Sequence, residues 1–426
     1  MLKIAFHLQN DGIEDVDFSN VEFANPGVGG TPFLAVLIPT LLVSLNKYKI
    51  ICLSNKSAKL PAKLSNHICG DIFGAADYCE KNQVDYLVID PKYLPKGVEK
   101  NIDVSFFQKY PKCNFLLWAN NFISIKKQKN MLRCPNVLRI INVGREQYDL
   151  YRDCSFFDKT TYIYNAYPFD IIDKFSLQPN YLRPNHVIYI GSLIPTKGFH
   201  YLAKAWKDVL KEIPDAELFV IGSGALYDRT NKLGKYGIAS EDYENYFMPY
   251  LEKSGKIHDS VHFLGVLGSE KYDVMKHCKL GVPNPSGASE TFGYTAVEMQ
   301  SAGCKVTTKK CPGYIDTVVD KGSLYTNPEK QLATYIIKFL NNKNTDNYKE
   351  TIEELKQKFS PQIIVKEWEK LFDSDLTQKA VSYKINNNYR LKYCKEIIRK
   401  YVPDSIKKII PSIERLYSLR NKIFKF

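Results

Sequence analysis

The chain has 426 residues, of which 44% are hydrophobic and 13% aromatic. This composition excludes a disordered protein, and the length predicts two domains rather than one core. The net charge of +13 is concentrated in residues 377–426, which contain 13 Lys and Arg against three acidic residues. Because the charge belongs to the tail and no nucleic-acid-binding motif accompanies it, we expect no nucleic-acid partner.

The ten cysteines form no C-x-x-C pair, and no secretory signal precedes the first predicted strand. We therefore expect buried free thiols in a reducing, cytoplasmic compartment. His258 and His262 have H-x3-H spacing, but no third candidate ligand lies near them in the sequence. No metal site is predicted there.

The first half begins with an apolar strand at residues 2–7 and continues into a loop that contains Gly27, Gly29 and Gly30. The apolar stretch at residues 33–45 is too short to cross a membrane, which favours a buried helix. Glycines between a strand and a helix let a ligand approach the backbone. The loop is thus a candidate binding loop, with a simple loop as the alternative.

Alternation of strands and helices continues along this half. A helix is predicted at residues 72–81, and strands are predicted at 48–53, 85–90, 115–118, 138–143 and 162–165. Asn120 follows the strand at 115–118. Arg145 opens a helix after the strand at 138–143 and is a candidate cleft residue, with a surface salt bridge as the alternative. Residues 166–184 contain three prolines and are predicted to be a linker.

A second alternating unit follows. Its predicted strands are at residues 187–190, 216–221 and 261–266, and its predicted helices at 199–211 and 270–277. The loop after the first strand contains Ser192, Lys197 and Gly198. A lysine in a glycine-bounded loop between strand and helix is suited to bind phosphate, although a single lysine is more often solvated. Residues 225–255 predict no particular chemistry.

The most informative stretch is residues 281–308, which predicts a strand end, a loop, a helix at 292–302 and another strand. Glu290 lies in the loop and Glu298 lies in the helix. The free N–H groups of residues 291–293, at the helix N-terminus, attract phosphate. Eight residues of helix span about 12 Å, so a diphosphate fits between two carboxylates that bind sugar hydroxyls. Solvated glutamates are the alternative.

These motifs resemble those of family 4 glycosyltransferases, which have the GT-B fold. The resemblance rests on Glu290-x7-Glu298, on Lys197-Gly198 and on the glycine loop at residues 25–31. It covers residues 1 to about 375 and implies an α/β protein with two Rossmann-like, doubly wound domains facing across a cleft. The implied parts are an acceptor-side domain (1–175), a donor-side domain (185–350) and crossover helices (351–376) that pack back on the first domain.

The resemblance also implies roles for individual residues. Glu290 faces the transferred sugar and Lys197 stabilises the leaving diphosphate, so these two are the catalytic candidates, while Glu298 binds the ribose. The other implied donor-binding residues are Thr291, Phe292, Gly293, Thr295, Ser192, Val266, Gly29 and Gly30. Ser192 stands where the family has Arg. Asn120 stands where it has His, so no acid–base role is assigned to it.

The implied activity is retaining, metal-independent transfer of a sugar from a nucleotide-diphosphate-sugar to a hydroxyl of a glycan or lipid-linked acceptor, without a cofactor. Bacterial cell-surface polysaccharide synthesis is the expected setting. A GT-B epimerase, a phosphorylase and a non-catalytic sugar-binding module are alternatives. A metal-dependent transferase using Asp15-Val16-Asp17 is less supported, because no apolar strand leads into that motif. An NAD enzyme would need a full G-x-G-x-x-G after a strand.

The tail at residues 377–426 has apolar residues at helical spacing, with Lys and Arg on the other faces. Those residues are Leu391, Cys394, Ile397, Ile398 and Tyr401, then Ile406, Ile409, Ile413, Leu416 and Ile423. Basic amphipathic helices bind anionic membrane surfaces, and each cation adds about 1 kcal/mol. We expect a peripheral position on the inner face of the membrane. A helix that caps the core with its charge solvated is the alternative.

Overall fold

The computed structural model describes residues 1–95, 102–342, 348–385, 390–409, 411–413, 415, 416 and 419. Within these residues most of the strands form two separate parallel sheets, each flanked by helices. The first lobe comprises residues 1–165 and the second lobe residues 185–342. The fold is α/β of the GT-B type, as the sequence predicts.

The first lobe contains a seven-stranded sheet with the strand order β3-β2-β1-β4-β5-β6-β7, in which all paired strands are parallel. The strands are β1 (Lys3–Leu8), β2 (Lys49–Ser54), β3 (Ser65–Ile68), β4 (Tyr86–Ile89), β5 (Phe115–Ala119), β6 (Val137–Asn142) and β7 (Thr160–Tyr162). The helices are α1 (Gly30–Val43), α2 (Ile72–Lys81), α3 (Ile102–Lys109), α4 (Ile125–Met131) and α5 (Arg145–Asp149). The chain reverses its direction of winding between β1 and β4, where a doubly wound sheet opens a ligand crevice.

The second lobe contains a five-stranded parallel sheet with the order β12-β9-β8-β13-β14, a short antiparallel hairpin and a short parallel pair. The strands are β8 (His186–Ile190), β9 (Glu217–Ile221), β10 (Glu252–Lys253), β11 (Lys256–Ile257), β12 (Val261–Gly265), β13 (Leu280–Gly281), β14 (Lys305–Val306), β15 (Thr308–Lys309) and β16 (Leu324–Tyr325). The helices are α6 (Phe199–Glu212), α7 (Glu241–Phe247), α8 (Lys271–Met275), α9 (Tyr294–Ser301), α10 (Pro312–Thr317) and α11 (Pro328–Leu340). Here the winding reverses between β8 and β13, whose loops carry the predicted phosphate-binding residues.

Two features differ from the sequence-based expectations. The edge strand β3 was not predicted, because all four of its side chains are exposed and it carries no apolar pattern. The last strand of the first sheet ends at Tyr162, so the prediction of a strand at residues 162–165 was wrong. The proline-containing connection at 166–184 lies between the two lobes and is packed, since Tyr167 and Phe169 are buried within it.

Two helices, α12 (Tyr348–Phe359) and α13 (Pro361–Asp373), follow the second lobe. Trp368 on α13 is fully buried, and its ring centroid lies 5.7 Å from Phe6 and 5.2 Å from Trp118, both in first-lobe strands. Lys47 of the first lobe pairs with Asp373 at 2.6 Å. Helix α13 therefore packs back on the first lobe.

The described part of the tail forms α14 (Arg390–Tyr401) and α15 (Asp404–Lys407). Helix α14 docks on the first lobe through its lysines, because Lys392 Nζ lies 3.0 Å from Asp149 and Lys395 Nζ lies 3.4 Å from Asp153. The orientation is therefore the reverse of the alternative in which the helix caps the core, because buried cations face the protein and apolar residues such as Ile397 face outward. Ile423 lies outside the described residues. None of the described helices is both long and apolar enough to cross a membrane.

Candidate active site

A cleft lies between the carboxyl edges of the two sheets, and both lobes contribute to its walls. Twelve of the thirteen residues singled out in the sequence line it: Gly29, Gly30, Asn120, Ser192, Lys197, Val266, Glu290, Thr291, Phe292, Gly293, Thr295 and Glu298. The structure thus brings residues from five separate loops to one site.

The carboxylate of Glu290 is fixed at the mouth of α9 by three donors. Its Oε1 accepts a hydrogen bond from the Gly293 N–H at 3.1 Å, and its Oε2 accepts one from Asn284 Nδ2 at 2.9 Å. Lys197 Nζ also lies 3.1 Å from Oε2. Gly293 allows this turn because it has a φ of 86°, and a Cβ there would lie 2.7 Å from the Tyr314 ring.

Lys197 ends a turn of 3-10 helix (Pro195–Lys197) that connects β8 to α6. The turn is closed by Gly198, whose φ is 71° and which packs directly on Ser286. Burial is the largest single influence and disfavours the charged form of Lys197, but the Glu290 carboxylate and the other neighbouring groups together outweigh burial and raise the pKa of Lys197 above its ordinary value. A fixed, fully charged ammonium therefore faces the cleft beside the N-terminal turn of α9.

Glu298 forms a buried ion pair on the same wall of the cleft. Its Oε1 lies 2.7 Å from Lys271 Nζ and accepts a longer hydrogen bond from Tyr272 Oη at 3.4 Å. Tyr272 Oη in turn lies 2.9 Å from Tyr167 Oη, in the connection between the lobes. The orientation of Glu298 is therefore set by a chain of buried polar groups.

The glycine loop of the first lobe lies against the second lobe. A Cβ on Gly29 would lie 2.5 Å from the ring of Tyr227, and one on Gly27 would lie 3.0 Å from Val266. Asn25 Oδ1 accepts hydrogen bonds from the N–H groups of Gly27 and Val28 and holds the loop in shape. The absence of side chains is what permits this close approach across the cleft.

Residues 172–358 match the family model described as glycosyl transferases group 1. The matched region contains the whole of the second lobe. The match includes the Lys197 and Glu290 loops and α9, so the wall of the cleft just described is part of the family region.

Solved structures support the GT-B fold. Anabaena Alr3699/HepE, solved with UDP and glucose, has a TM-score of 0.63 at 16% identity, over 88% of this chain and 100% of that one. The catalytic domain of starch synthase IV from Arabidopsis thaliana, bound to ADP and acarbose, gives 0.57 at 12% identity, over 88% and 100%. AviGT4, a glycosyltransferase of avilamycin A biosynthesis, gives 0.55 at 12%, over 87% and 97%. No curated protein matches the sequence.

The second lobe supplies cations to the cleft differently from the sequence-based expectation. Ser192 is buried, and its Oγ donates a hydrogen bond to the Ser223 carbonyl at 3.3 Å, so it contributes no charge. A second cation nevertheless lines the cleft, because Lys271 opens α8 directly after β12. Sequence reasoning missed Lys271, although its position after a parallel strand was a usable signal.

Asn284 and Tyr227 are also cleft residues that the sequence analysis did not identify. Asn284 has a φ of 34°, in the left-handed region where Asn is favoured over most residues. Tyr227 lies in the stretch at 225–255, where the sequence carries no motif. Both residues reach the cleft through tertiary packing, which no local sequence motif indicates.

Arg145 lies away from this cleft. Its Nε is 3.3 Å from Asp149 Oδ1, and its guanidinium stacks 5.2 Å from the ring centroid of Tyr162. It is buried, so the salt bridge that was the alternative exists, but inside the first lobe rather than on its surface.

The carboxylates of the Asp15-Val16-Asp17 motif form ion pairs, Asp15 with Arg229 and Asp17 with Lys59. Among the described residues, no cluster of three or more His, Cys, Asp or Glu is arranged to hold a metal ion.

Proposed function

We propose that this chain is a retaining glycosyltransferase that moves a sugar from a nucleotide-diphosphate-sugar to a hydroxyl of a glycan or lipid-linked acceptor. One observation carries the proposal: Lys197, the first turn of α9 and the carboxylates of Glu290 and Glu298 line one cleft. Cations and helix N–H groups suit a diphosphate, and carboxylates suit the hydroxyls of the sugars at either end.

The proposed chemistry uses these groups at the leaving group. As the bond between the sugar carbon and the diphosphate oxygen breaks, negative charge grows on the diphosphate. Lys197 and the N–H groups at the start of α9 stabilise that charge without reorganising, because packing already fixes them. Glu290 holds hydroxyls of the transferred sugar, and Glu298 holds those of the ribose. We propose that the reaction needs no metal ion and no cofactor.

The test is to incubate the protein and a panel of methyl glycosides, which supply acceptor hydroxyls, with UDP-glucose, UDP-N-acetylglucosamine, ADP-glucose and GDP-mannose, after ranking these donors by protection against thermal unfolding. UDP-glucose comes first because a protein of the same fold was solved with it. We expect a released nucleoside diphosphate together with a new glycoside whose anomeric configuration matches that of the donor, also in EDTA. An epimerised sugar nucleotide, a sugar phosphate, or binding without turnover would each support a different alternative and contradict the proposal.

We also propose a place in bacterial cell-surface polysaccharide synthesis, with the tail lying on the inner face of the membrane. The observation in favour is the outward face of α14, where Tyr393, Ile397 and Tyr401 are exposed beside Lys400. Apolar and cationic side chains on one exposed face suit an anionic lipid surface.

Substitution tests the membrane role better than truncation does, because deleting α14 would remove the lysines that pair with the buried Asp149 and Asp153. The variant Tyr393→Ser/Ile397→Ser is expected to lose co-sedimentation with vesicles of one part phosphatidylserine to three parts phosphatidylcholine. The matched control Tyr246→Ser changes an exposed tyrosine of the second lobe. Equal binding by both variants, or equal binding to vesicles without phosphatidylserine, would contradict the membrane role.

A further inference from the structure

Residues 225–233 of the second lobe form a strap that reaches across the cleft to the first lobe. Both ends of the strap are tied to one short segment of the second lobe. At the start of the strap, the Gly224 N–H donates a hydrogen bond to the Ile238 carbonyl at 2.8 Å. At its end, the Gly234 N–H donates one to the Ala239 carbonyl at 2.7 Å. The strap is therefore a loop with a closed base.

A buried carboxylate fixes the base of the strap. Glu244 is only 1% exposed, and its two oxygens accept hydrogen bonds from three backbone N–H groups. These belong to Tyr236, Ile238 and Ala239, at 2.6, 3.0 and 3.1 Å. Hydrogen bonds to a charged acceptor are roughly twice as strong as those between neutral groups. The second lobe thus sets the direction in which the strap leaves it.

The tip of the strap is attached to the first lobe. The Arg229 N–H donates a hydrogen bond to the Gly12 carbonyl at 3.2 Å. The Arg229 guanidinium also forms an ion pair with Asp15. Both charged side chains are exposed, so this pair contributes little free energy. It nevertheless places the tip, and it holds the residues between base and tip over the cleft.

Tyr227 lies between the base and the tip of the strap, and it lines the cleft. A Cβ on Gly29 would lie 2.5 Å from the edge of its ring, so the glycine loop of the first lobe fits directly against it. Lys92 Nζ, also in the first lobe, lies 5.5 Å from the ring centroid. The residue is nonetheless 44% exposed. The aromatic ring is therefore held in place and still leaves apolar surface open to a ligand in the cleft.

The Tyr227 hydroxyl lies near polar groups of both walls. In the second lobe, burial lowers the pKa of Lys197, whereas Glu290 and then Tyr227 raise it. In the first lobe, burial raises the pKa of Tyr93, and Asp90 and then Tyr227 add to the rise. Tyr227 therefore lies between the cation proposed to bind the diphosphate and the wall of the first lobe.

This position suits the acceptor rather than the donor. The donor is assigned to Lys197, α9 and the two glutamates, all in the second lobe, so the acceptor has to approach from the opposite wall. Tyr227 touches that wall at Gly29. One face of a pyranose carries mainly C–H groups, which are apolar and pack against an aromatic ring, while the hydroxyls stay free for hydrogen bonds.

We infer that the Tyr227 ring is the surface on which a pyranose of the acceptor stacks, where the strap meets the glycine loop. The inference rests on the proposed function and adds an acceptor-binding residue to it. Contact with the ring fixes the acceptor hydroxyl relative to the transferred sugar. A strap that only joins the lobes, with Tyr227 as a spacer against Gly29, is the competing explanation.

The experiment is saturation-transfer NMR of the same panel of methyl glycosides with the UDP-bound protein. We expect at least one glycoside to bind the wild type, with most of the saturation on the C–H protons of one face of its ring. The signal should fall at least fivefold in Tyr227→Ala and return to within twofold of the wild type in Tyr227→Phe, which keeps the ring. Tyr246→Ala, at an exposed tyrosine outside the cleft lining, is the matched control and should bind as the wild type does.

A variant of the tip separates ring contact from the joining of the lobes. Arg229→Gln removes the ion pair with Asp15 but keeps the ring. We therefore expect a smaller loss of signal than in Tyr227→Ala, with saturation still on one face of the sugar. Three results would overturn the inference: saturation spread evenly over both faces, an equal loss in Arg229→Gln and Tyr227→Ala, or equal signals in Tyr227→Ala and the wild type.

UDP protection against thermal unfolding keeps this test separate from that of the proposed function. Protection should be unchanged in all four variants, which also shows that they are folded. Its absence from the wild type would contradict the proposed function instead. A wild type that binds UDP and none of the methyl glycosides would overturn the inference alone.

Discussion

Lys271 Nζ and Glu298 Oε1 lie 2.7 Å apart in the wall of the cleft, and both side chains are less than 5% exposed. The pair joins the start of α8 to the middle of α9, two helices that follow different strands of the second sheet. Removing one member of a buried pair leaves the other charged and unsolvated, which costs about 3–5 kcal/mol. The pair therefore fixes the position of Glu298 and couples the binding wall to the stability of the lobe.

Lys271→Met is accordingly expected to lower the free energy of unfolding by about 3 kcal/mol or more. Lys271→Met/Glu298→Gln should recover a large part of this loss, because the second change removes the unpaired charge. Lys276→Met, which breaks an exposed pair with Asp273 at the end of the same helix, should cost less than about 1 kcal/mol. Urea unfolding of the three variants checks this, and equal losses for Lys271→Met and Lys276→Met would contradict it.

A second expectation concerns the charge at the leaving group. Lys197→Met should reduce kcat for glycosyl transfer by about 10²–10³, the range found when one preorganised donor to a developing anion is removed. The donor KM should change much less, because the charge develops mainly in the transition state. Steady-state kinetics with the donor that gives turnover in the nucleotide-sugar screen measures both constants. Lys207→Met, at an exposed lysine of α6, is the control, and a wild-type kcat in Lys197→Met would remove Lys197 from the mechanism.

Much of the fold is predictable, because buried parallel strands are short apolar runs. The helix at residues 72–81 has the predicted bounds, and β5 and β8 lie within one residue of prediction. The missed β3 shows the limit, since its four exposed side chains leave only the backbone hydrogen bonds to β2 as evidence. Such edge pairing depends on the partner strand and leaves no pattern in the strand itself.

The residues of the candidate site likewise include some that the sequence predicts and some that it does not. Lys197, Glu290 and Glu298 were predictable because glycine-bounded loops mark where the backbone turns toward a ligand. Lys271 was missed, although it follows a parallel strand, because its role depends on a contact with Glu298, 27 positions later in the sequence. Arg145 was predicted to be a cleft residue because it follows a strand. Its side chain instead pairs with Asp149, one turn later in the helix.

The left-handed turn at Gly293 gives a third expectation. Gly293→Ala should destabilise the protein by about 1–3 kcal/mol, because a non-glycine residue is strained at a φ of 86° and its Cβ would approach the Tyr314 ring to 2.7 Å. It should also raise the donor KM, since the strain displaces the first turn of α9. Gly30→Ala is the control for stability, because a Cβ there meets no atom within 4 Å. Chemical unfolding and donor titration compare the two variants, and equal stabilities would contradict the argument.

The last expectation concerns pH and the contact between the lobes. Asp316 on α10 accepts hydrogen bonds from the Glu146 N–H at 2.9 Å and from Tyr164 Oη at 3.3 Å, both in the first lobe. Burial raises the pKa of Asp316 to about 7, with the Glu146 N–H opposing the rise and the Glu146 carboxylate adding to it. The lobes therefore meet at a carboxyl group that titrates near neutrality.

The sign of the effect follows from the unfolded state, where an aspartate ionises near pH 4. Between about pH 4 and pH 7 the unfolded chain releases this proton while the folded chain keeps it, so the wild type loses stability as pH rises through this window. Asp316→Asn removes this loss, and its stability relative to the wild type should rise by at most about 4 kcal/mol from pH 4 to pH 8. Asp208→Asn, at an exposed position of α6, should show no such change. Urea unfolding at several pH values measures the difference. Parallel curves for Asp316→Asn and wild type would mean that Asp316 is ionised throughout and that the lobes are held by a charged contact instead.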